Sequence, residues 1–145
     1  MTRLNKYQRF LQTLFTNNPH AKHAAIIVKG GKIMSWGINQ SRFYNIGRVS
    51  MTSACAECTT IRMYKKVYNR NISNRAVMYI TARNIQKLSR PCSQCVHVIK
   101  KSGLRLIWYT SPKGWIKLNT NNLKVIHINK LKNNAPDKMK HLYCT

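Results

Sequence analysis

Acidic side chains are almost absent from this sequence. Its 145 residues contain 2 Asp plus Glu against 26 Lys plus Arg, so the formal net charge is +24 with the 5 His residues neutral. A domain with this charge repels itself unless a polyanion neutralises it, and nucleic acid is the first candidate because phosphate contacts release condensed counterions. A compositional bias toward Lys, Asn and Ile is the alternative. That bias explains the abundant Lys but not the missing acids, so we expect a polyanion partner.

The sequence also lacks any apolar run close to the roughly 20 residues of a membrane helix, so we expect no membrane span. With 43% apolar residues, the chain can bury a core, and its composition excludes collagen, a coiled coil and a disordered tail. A chain of this length forms one domain of ordinary size. We predict a single domain over residues 1–145, with its core at about 20–131 and a polar C-terminal tail over 132–145.

The sequence also lacks the cysteine pattern of a secreted protein that is stabilised by disulfides. The cysteines number five, which is odd, and the first segment lacks the apolar region and small-residue cleavage site of a signal peptide. Its apolar residues keep helical spacing, so we interpret it as a helix of the fold rather than a transit peptide. Paired cysteines in this setting indicate an intracellular, reducing compartment. Metal binding is then the first hypothesis for them and redox chemistry the second.

The rest of the pattern alternates helices and strands. The Gly30–Gly31 pair between two extended runs predicts a β-hairpin, because glycine supplies the positive φ of a tight turn. The predicted elements in chain order are a helix over 3–17, hairpin strands over 24–28 and 32–39, a loop over 40–50, a helix from Ser53 to about Tyr68, a strand over 76–82, a helix over 91–102, and strands over 104–110 and 123–131. This order predicts an α/β fold with a central five-stranded mixed sheet flanked by helices.

The connection before the last strand decides the direction of that strand. Residues 112–122 carry Pro112 and Gly114 and no apolar stripe at helical spacing. The stretch is also short for a parallel crossover, which takes about a dozen residues or more and is usually helical. We therefore predict a loop here that contains Trp115, followed by an antiparallel strand over 123–131 beside the strand over 104–110. Loop aromatics of this kind, with Phe43 and Tyr44 on the 40–50 loop, can stack on a base.

Cysteines stand at the predicted starts of two helices. Cys55 precedes Glu57 at one of them, and Cys92 and Cys95 follow Pro91 at the other. Helix N-termini favour thiolates, and two cysteines three apart lie on one side of the first turn. Together the three cysteines can hold a tetrahedral zinc ion and leave its fourth position to water. Glu57, the only Glu in the chain, can then move that water's proton.

These two motifs resemble a known family. The C-A-E motif at 55–57, followed by P-C-x-x-C at 91–95, each at a helix start of a sheet-based domain, resembles the zinc-dependent cytidine/deoxycytidylate deaminase superfamily. The resemblance covers about residues 20–130, and the predicted element order matches the core of that superfamily. It therefore implies the cytidine deaminase-like three-layer fold, and it suggests a homo-oligomer.

The resemblance also implies roles for particular residues. Cys55, Cys92 and Cys95 would hold Zn²⁺, and zinc-bound hydroxide would be the nucleophile in the hydrolytic deamination of cytosine. Glu57 would be the catalytic proton shuttle. Asn39, at the end of the second hairpin strand, would bind the substrate.

Free cytidine fits this sequence poorly as the substrate. The tetrameric cytidine deaminases carry an Asn and a Glu near the second strand that hold the free ribose, and residues 37–41 contain no acid. The basic composition favours a mononucleotide or a cytosine in single-stranded nucleic acid.

Other interpretations stay open at this point. A highly basic nucleic-acid-binding or packaging protein could use the same fold with weak or no catalysis. Cys58, one turn after Cys55, could be the fourth ligand of a structural four-cysteine zinc module, although a small buried core thiol is the simpler interpretation. His23, just before the first hairpin strand, could border a pocket.

Overall fold

The structure is a computed structural model that describes residues 3–39, 44–46, 49–51, 55–91 and 93–122. Its elements in chain order are α1 (Arg3–Asn17), β1 (His23–Lys29), β2 (Lys32–Ile38), β3 (Tyr44–Ile46), β4 (Val49–Met51), α2 (Ala56–Tyr68), β5 (Val77–Ala82), α3 (Ser93–Ser102), β6 (Leu106–Ser111) and β7 (Gly114–Asn119), followed by a short 3-10 turn (Thr120–Asn122). None of the helices in these described ranges is both long and apolar enough to cross a membrane.

Strands from both halves of the chain form one sheet, in the order β2-β1-β5-β6-β7. β5 and β6 are parallel and are joined through α3, whereas the other neighbouring pairs are antiparallel. The predicted hairpin is present, with Gly30 and Gly31 at φ values of 59° and 77° in its turn. The predicted α/β fold with a five-stranded mixed sheet is therefore confirmed.

Helices cover both faces of the sheet, which gives three layers. α1 buries Tyr7, Leu11 and Phe15 against one face. α2 and α3 pack on the other face, where Ala25 and Ile27 of β1 belong to the larger core. Successive residues of a strand point to opposite faces, so β1 contributes alternately to the two cores and is buried at five of its seven positions.

Two stretches that the sequence predicted as loops contain strands. β3 and β4 pair with each other within the 40–50 loop, so Tyr44 lies on a strand, while Phe43 lies outside the described residues. β-branched and aromatic residues on both sides of Gly47 favour such a pair.

The last strand of the sheet also differs from the prediction. β7 lies within residues 112–122 and pairs antiparallel with β6, so Trp115 lies on a strand rather than in a loop. The turn before it is stabilised by Ser111, whose Oγ donates to the carbonyl of Gly114 at 2.8 Å and accepts from the N–H of Lys113 at 3.1 Å. The strand next to β6 is antiparallel, as predicted, but it is formed by a different segment from the predicted one. Residues 123–131 lie outside the described residues, and β7 takes the place predicted for them beside β6.

α2 lies unusually close to β2, and a glycine makes this possible. A Cβ atom at Gly37 would lie 2.7 Å from the backbone nitrogen of Thr60 and 2.9 Å from Cβ of Thr59. The hydroxyl of Ser35, on the same face of β2, lies 3.0 Å from both the carbonyl oxygen and the hydroxyl of Thr60. These contacts set the position of α2 on the sheet.

We expect Gly37→Ala to destabilise the protein by about 1–3 kcal/mol, because a backbone atom of α2 occupies the space that the methyl group needs. Denaturant unfolding measures this change. Lys32→Ala, at an exposed position of the same strand, is the control and should change stability by less than about 0.5 kcal/mol. Equal stability of the two variants would show that α2 has room to shift.

Candidate metal and catalytic site

The first turns of α2 and α3 lie at the same edge of the sheet. α3 follows β5, so its first turn is near the carboxyl end of that strand. α2 runs antiparallel to β2, because Gly37 lies beside Thr59 and Thr60 near the start of the helix, whereas the hydroxyl of Tyr68 at its end donates to the carbonyl of Met34 at 3.1 Å. Both N-termini therefore face the edge where β1 begins and where β2 and β5 end.

Three cysteines from these two helix starts form a buried cluster, which we call the thiol cluster. Its members are Cys55, Cys58 and Cys95, whose sulfur atoms all lie within 4.8 Å of one another. Their exposed fractions are 3%, 7% and 0%. Cys55 is the N-cap of α2, with extended backbone, and its carbonyl accepts the N–H and the hydroxyl of Thr59 at 3.0 and 2.9 Å. The first turn of α2 thus fixes the position of Cys55 beside α3.

A disulfide is the alternative to a metal site for Cys55 and Cys95, whose sulfur atoms are in contact. Their Cα atoms are 7.4 Å apart, whereas the Cα atoms of disulfides usually lie about 4.4–6.8 Å apart. Two thiolates on one tetrahedral zinc ion tolerate the wider spacing, because each Zn–S bond is about 2.3 Å long. Soft sulfur ligands in a compact, buried group also fit zinc chemically. The thiol cluster therefore fits a zinc ion better than a disulfide.

The structure brings together two members of the predicted ligand set, and a third cysteine lies close to these two. Cys55 and Cys95 meet as predicted, while Cys92 lies outside the described residues. Cys58 is buried, as its interpretation as a core thiol predicted, and its sulfur also belongs to the thiol cluster. Its spacing of three residues from Cys55 was the available sequence signal, because such residues are neighbours on a helix surface.

Glu57 occupies the same first turn of α2, between two members of the thiol cluster. It is buried, with an exposed fraction of 5%. An ionised carboxylate is rarely buried without hydrogen bonds or charged partners, so such positions are often functional. The structure thus places the only Glu of the chain, buried, in the same helical turn as two of the candidate metal ligands.

Asn39 lies at the same edge, directly after β2, and is held by β1. Its Oδ1 accepts the backbone N–H groups of Lys22 and His23 at 2.7 and 2.9 Å, and its own N–H donates to the carbonyl of His23 at 3.2 Å. Because Oδ1 is taken by two donors, the side-chain orientation is determined and Nδ2 is left as a donor. Successive side chains of a strand point to opposite faces of the sheet, so Asn39 points to the same face as Gly37, two residues before it. Gly37 contacts α2, and this is the face that carries the thiol cluster.

A cavity of about 430 Å³ opens at this edge. Its lining residues are Lys22, His23, Ala82, Arg83, Asn84, Lys87 and Leu88. Alternation along β1 directs His23 toward the same face as Ala25 and Ile27, which pack under α2 and α3. Burial, and then the positive charge of Lys22, lower the pKa of His23 below its ordinary value. Both effects favour the neutral form of His23, and His23 borders a pocket as the sequence suggested.

The cations around this cavity have different roles. Arg83 donates Nε to the carbonyl of Ala21 at 2.8 Å and Nη2 to the carbonyl of Asn18 at 2.7 Å, and its guanidinium lies 5.0 Å from the ring centre of Phe15. It therefore anchors the end of α1 to the sheet. Lys22 and Lys87 are exposed at the cavity.

Hydrogen bonds fix the loop between β5 and α3 before the chain enters α3. Ser89 donates its hydroxyl to the carbonyl of Ile80 at 2.9 Å and accepts the N–H of Thr110 at 2.8 Å. The hydroxyl of Thr110 lies 3.0 Å from the carbonyl of Lys87. These buried hydrogen bonds fix both the cavity wall at Lys87 and the chain leading into α3.

Comparison with known proteins agrees with this geometry. Residues 4–111 match the family model described as the cytidine and deoxycytidylate deaminase zinc-binding region. No curated protein sequence matches the chain.

Several solved structures share the fold. Cytidine deaminase from Burkholderia pseudomallei has a TM-score of 0.53 at 16% identity, over 72% of this chain and 80% of that one. dCMP deaminase from the cyanophage S-TIM5, in complex with dCMP and dUMP, has a TM-score of 0.52 at 19% identity, over 72% and 78%. The diaminohydroxyphosphoribosylaminopyrimidine deaminase/5-amino-6-(5-phosphoribosylamino)uracil reductase of Thermotoga maritima has a TM-score of 0.50 at 18% identity, and the match covers 74% of this chain but 29% of that one.

The family match covers well over half of the chain, and the thiol cluster supplies ligands of the kind that a zinc-binding region needs. The chain therefore belongs to the cytidine and deoxycytidylate deaminase family, and zinc is its metal.

Proposed function

We propose that this protein is a hydrolytic deaminase that removes the exocyclic amine of cytosine in a nucleotide or in single-stranded nucleic acid. The observation that carries the proposal is the position of buried Glu57 in the same helical turn as Cys55 of the thiol cluster. A metal site next to a buried carboxylate is the combination that hydrolytic deamination of a nucleobase requires.

The ligands follow from the motif and the cluster. Cys55 and Cys95, together with Cys92 from the sequence motif, would hold the zinc ion. When bound, zinc lowers the pKa of a water molecule toward ~7 and so supplies a nucleophile at neutral pH. Because the cysteines must stay reduced to do this, we place the protein in a reducing, intracellular compartment.

Glu57 would move the protons of the reaction. Its carboxylate would accept the two protons of the attacking water molecule in turn, the first when the water is activated and the second after its oxygen has bonded to the carbon that carries the amine. It then delivers one proton to the ring nitrogen and one to the departing amine, which leaves as ammonia. Burial of Glu57 shields these transfers from bulk water.

Asn39 would orient the substrate. Its Oδ1 is occupied by the N–H groups of Lys22 and His23, so its Nδ2 is the atom that can donate to an oxygen of the base or the sugar. The neutral form of His23, which burial favours by lowering its pKa, can accept or donate a hydrogen bond without adding charge. This pair gives the β1–β2 side of the site polar contacts of fixed orientation.

A phosphate group on the substrate would be bound by lysines. Lys22 and Lys87 line the 430 Å³ cavity, and none of its lining residues in the described part of the chain is acidic. The cavity is at the sheet edge that carries the thiol cluster, and its volume is typical of small-molecule sites. Charge-assisted hydrogen bonds to an anion are among the stronger polar contacts in proteins. These features favour a phosphorylated substrate over free cytidine.

We expect Lys22→Ala and Lys87→Ala each to raise the KM for dCMP about tenfold or more, because each removes a charge-assisted hydrogen bond. The KM for deoxycytidine should stay within about twofold, since it has no phosphate. Steady-state kinetics with both substrates measure the difference. Lys65→Ala, near the opposite end of α2, is the control. Equal increases in KM for both substrates would contradict a phosphate contact.

The function itself is tested by ammonia release from the zinc-loaded protein. Substrates to compare are deoxycytidine, dCMP, and single-stranded DNA and RNA that contain cytosine, with an adenine-containing strand as the comparison base. We expect ammonia from dCMP or from a cytosine-containing strand. Release from none of them, with zinc bound and the fold intact, would overturn the proposal.

Nucleic-acid binding without catalysis is the second candidate, and the net charge of +24 favours it. Binding that depends on phosphate contacts should weaken with salt, with a slope of roughly −0.7 to −0.9 in log K against log salt for each contact. We expect a steep slope for single-stranded DNA in a fluorescence titration between low and moderate salt. A flat slope would mean that the charge reflects composition and not a polyanion partner.

A further inference from the structure

Cys58 is the member of the thiol cluster that the proposed reaction does not use. It directly follows Glu57 and lies outside the C-A-E and P-C-x-x-C motifs. A cysteine that only fills the core packs among apolar side chains. Cys58 instead groups with Cys55, Cys95 and partly buried Val98, apart from the main apolar core.

Local helix geometry explains why its sulfur faces the site. Cys55 is the N-cap of α2, so Ala56, Glu57 and Cys58 are its first three helical residues. The side chain of the third residue reaches back to the N-cap, as it does in a capping box. The sulfur of Cys58 accordingly lies 3.1 Å from the sulfur of Cys55.

The spacing of the sulfur atoms suits a shared ion. Thiolates bound to one tetrahedral zinc ion lie about 3.8 Å apart, since each Zn–S bond is about 2.3 Å long. The sulfur atoms of Cys55, Cys58 and Cys95 all lie within 4.8 Å of one another. Rotations of the three cysteine side chains are therefore sufficient to place all three sulfur atoms around one zinc ion.

We propose that Cys58 is itself a ligand of the zinc ion, together with Cys55 and Cys95. If Cys92 also binds, as the sequence motif predicts, then four thiolates fill the tetrahedral coordination. Cys58 would then occupy the position that deamination needs for water, and its release would be required for activity. The assignment of the ligand does not depend on the proposed function, whereas this consequence for activity does.

Zinc X-ray absorption of the whole, reduced protein tests the assignment by counting sulfur neighbours at about 2.3 Å and lighter neighbours at about 2.0–2.2 Å. We expect Cys58→Ser to contain one sulfur neighbour fewer than the unchanged protein. Cys144→Ser, which removes the cysteine outside both motifs and the thiol cluster, is the control and should leave the count unchanged. The same sulfur count in all three proteins would overturn the proposal.

A second variant covers the case in which Cys58→Ser does not fold. In Cys92→Ser with Cys144→Ser, only Cys55, Cys58 and Cys95 remain to supply sulfur. Three sulfur neighbours in this protein require Cys58 as a ligand, and two would exclude it. Ammonia release from Cys58→Ser addresses the proposed function separately. A lower sulfur count without ammonia release would support the ligand and count against the deaminase.

Discussion

Glu57→Gln should lower the rate of deamination about a thousandfold while zinc content and stability stay close to those of the unchanged protein. The amide keeps the size of the carboxylate but cannot accept and release a proton, and general acid–base groups contribute about 10²–10⁴-fold to rates. Glu57 is buried in the first turn of α2, between Cys55 and Cys58. The measurement is ammonia release at saturating substrate, alongside metal analysis and thermal unfolding.

A buried position requires a control for packing. Thr60→Ser, a conservative change at another buried residue of the same helix, should keep most of the activity. If Glu57→Gln deaminated at the unchanged rate, the residue would have no part in proton transfer. If it lost zinc, Glu57 would act through the metal site rather than on the substrate.

Cys55→Ala should reduce the zinc content from about one ion per chain to a small fraction of that, and it should destabilise the fold, because metal binding contributes folding free energy. Cys55 links α2 to α3 through the thiol cluster and is 3% exposed. Metal analysis after dialysis and thermal unfolding with and without added zinc measure both effects. Added zinc should raise the melting temperature of the unchanged protein and leave that of the variant almost unchanged.

Cys144→Ser again provides a matched control, since it removes one cysteine that belongs to neither motif. It should keep full zinc content and the zinc-dependent gain in melting temperature. Retention of stoichiometric zinc by Cys55→Ala would remove Cys55 from the ligand set. Loss of zinc by the control would mean that metal binding involves the C-terminal residues.

Local patterns were sufficient for most of the architecture. Helical spacing in α1, the glycine pair between β1 and β2, and the alternation of helices with strands predicted a five-stranded mixed sheet flanked by helices, which the structure contains. The prediction failed at β7, where Pro112 and Gly114 were interpreted as signs of a loop. Those residues form the turn, and the apolar residues after it can pair with β6 because that edge would otherwise stay open. Whether a short apolar stretch pairs depends on a neighbouring strand, which the sequence alone does not show.

Some features of the candidate site follow from the sequence, whereas others depend on the tertiary structure. The sequence by itself determined the chemistry: thiols at two helix starts, a single Glu beside one of them, and a basic composition, because motif spacing within a helix turn fixes which side chains are neighbours. The tertiary structure decided which distant residues join them. It brought Cys95 to Cys55 and Cys58, it oriented Asn39 through the backbone of Lys22 and His23, and it opened the lysine-lined cavity beside β5. These contacts depend on how the strands pair and how the helices pack, and both are set by the whole fold rather than by any one segment.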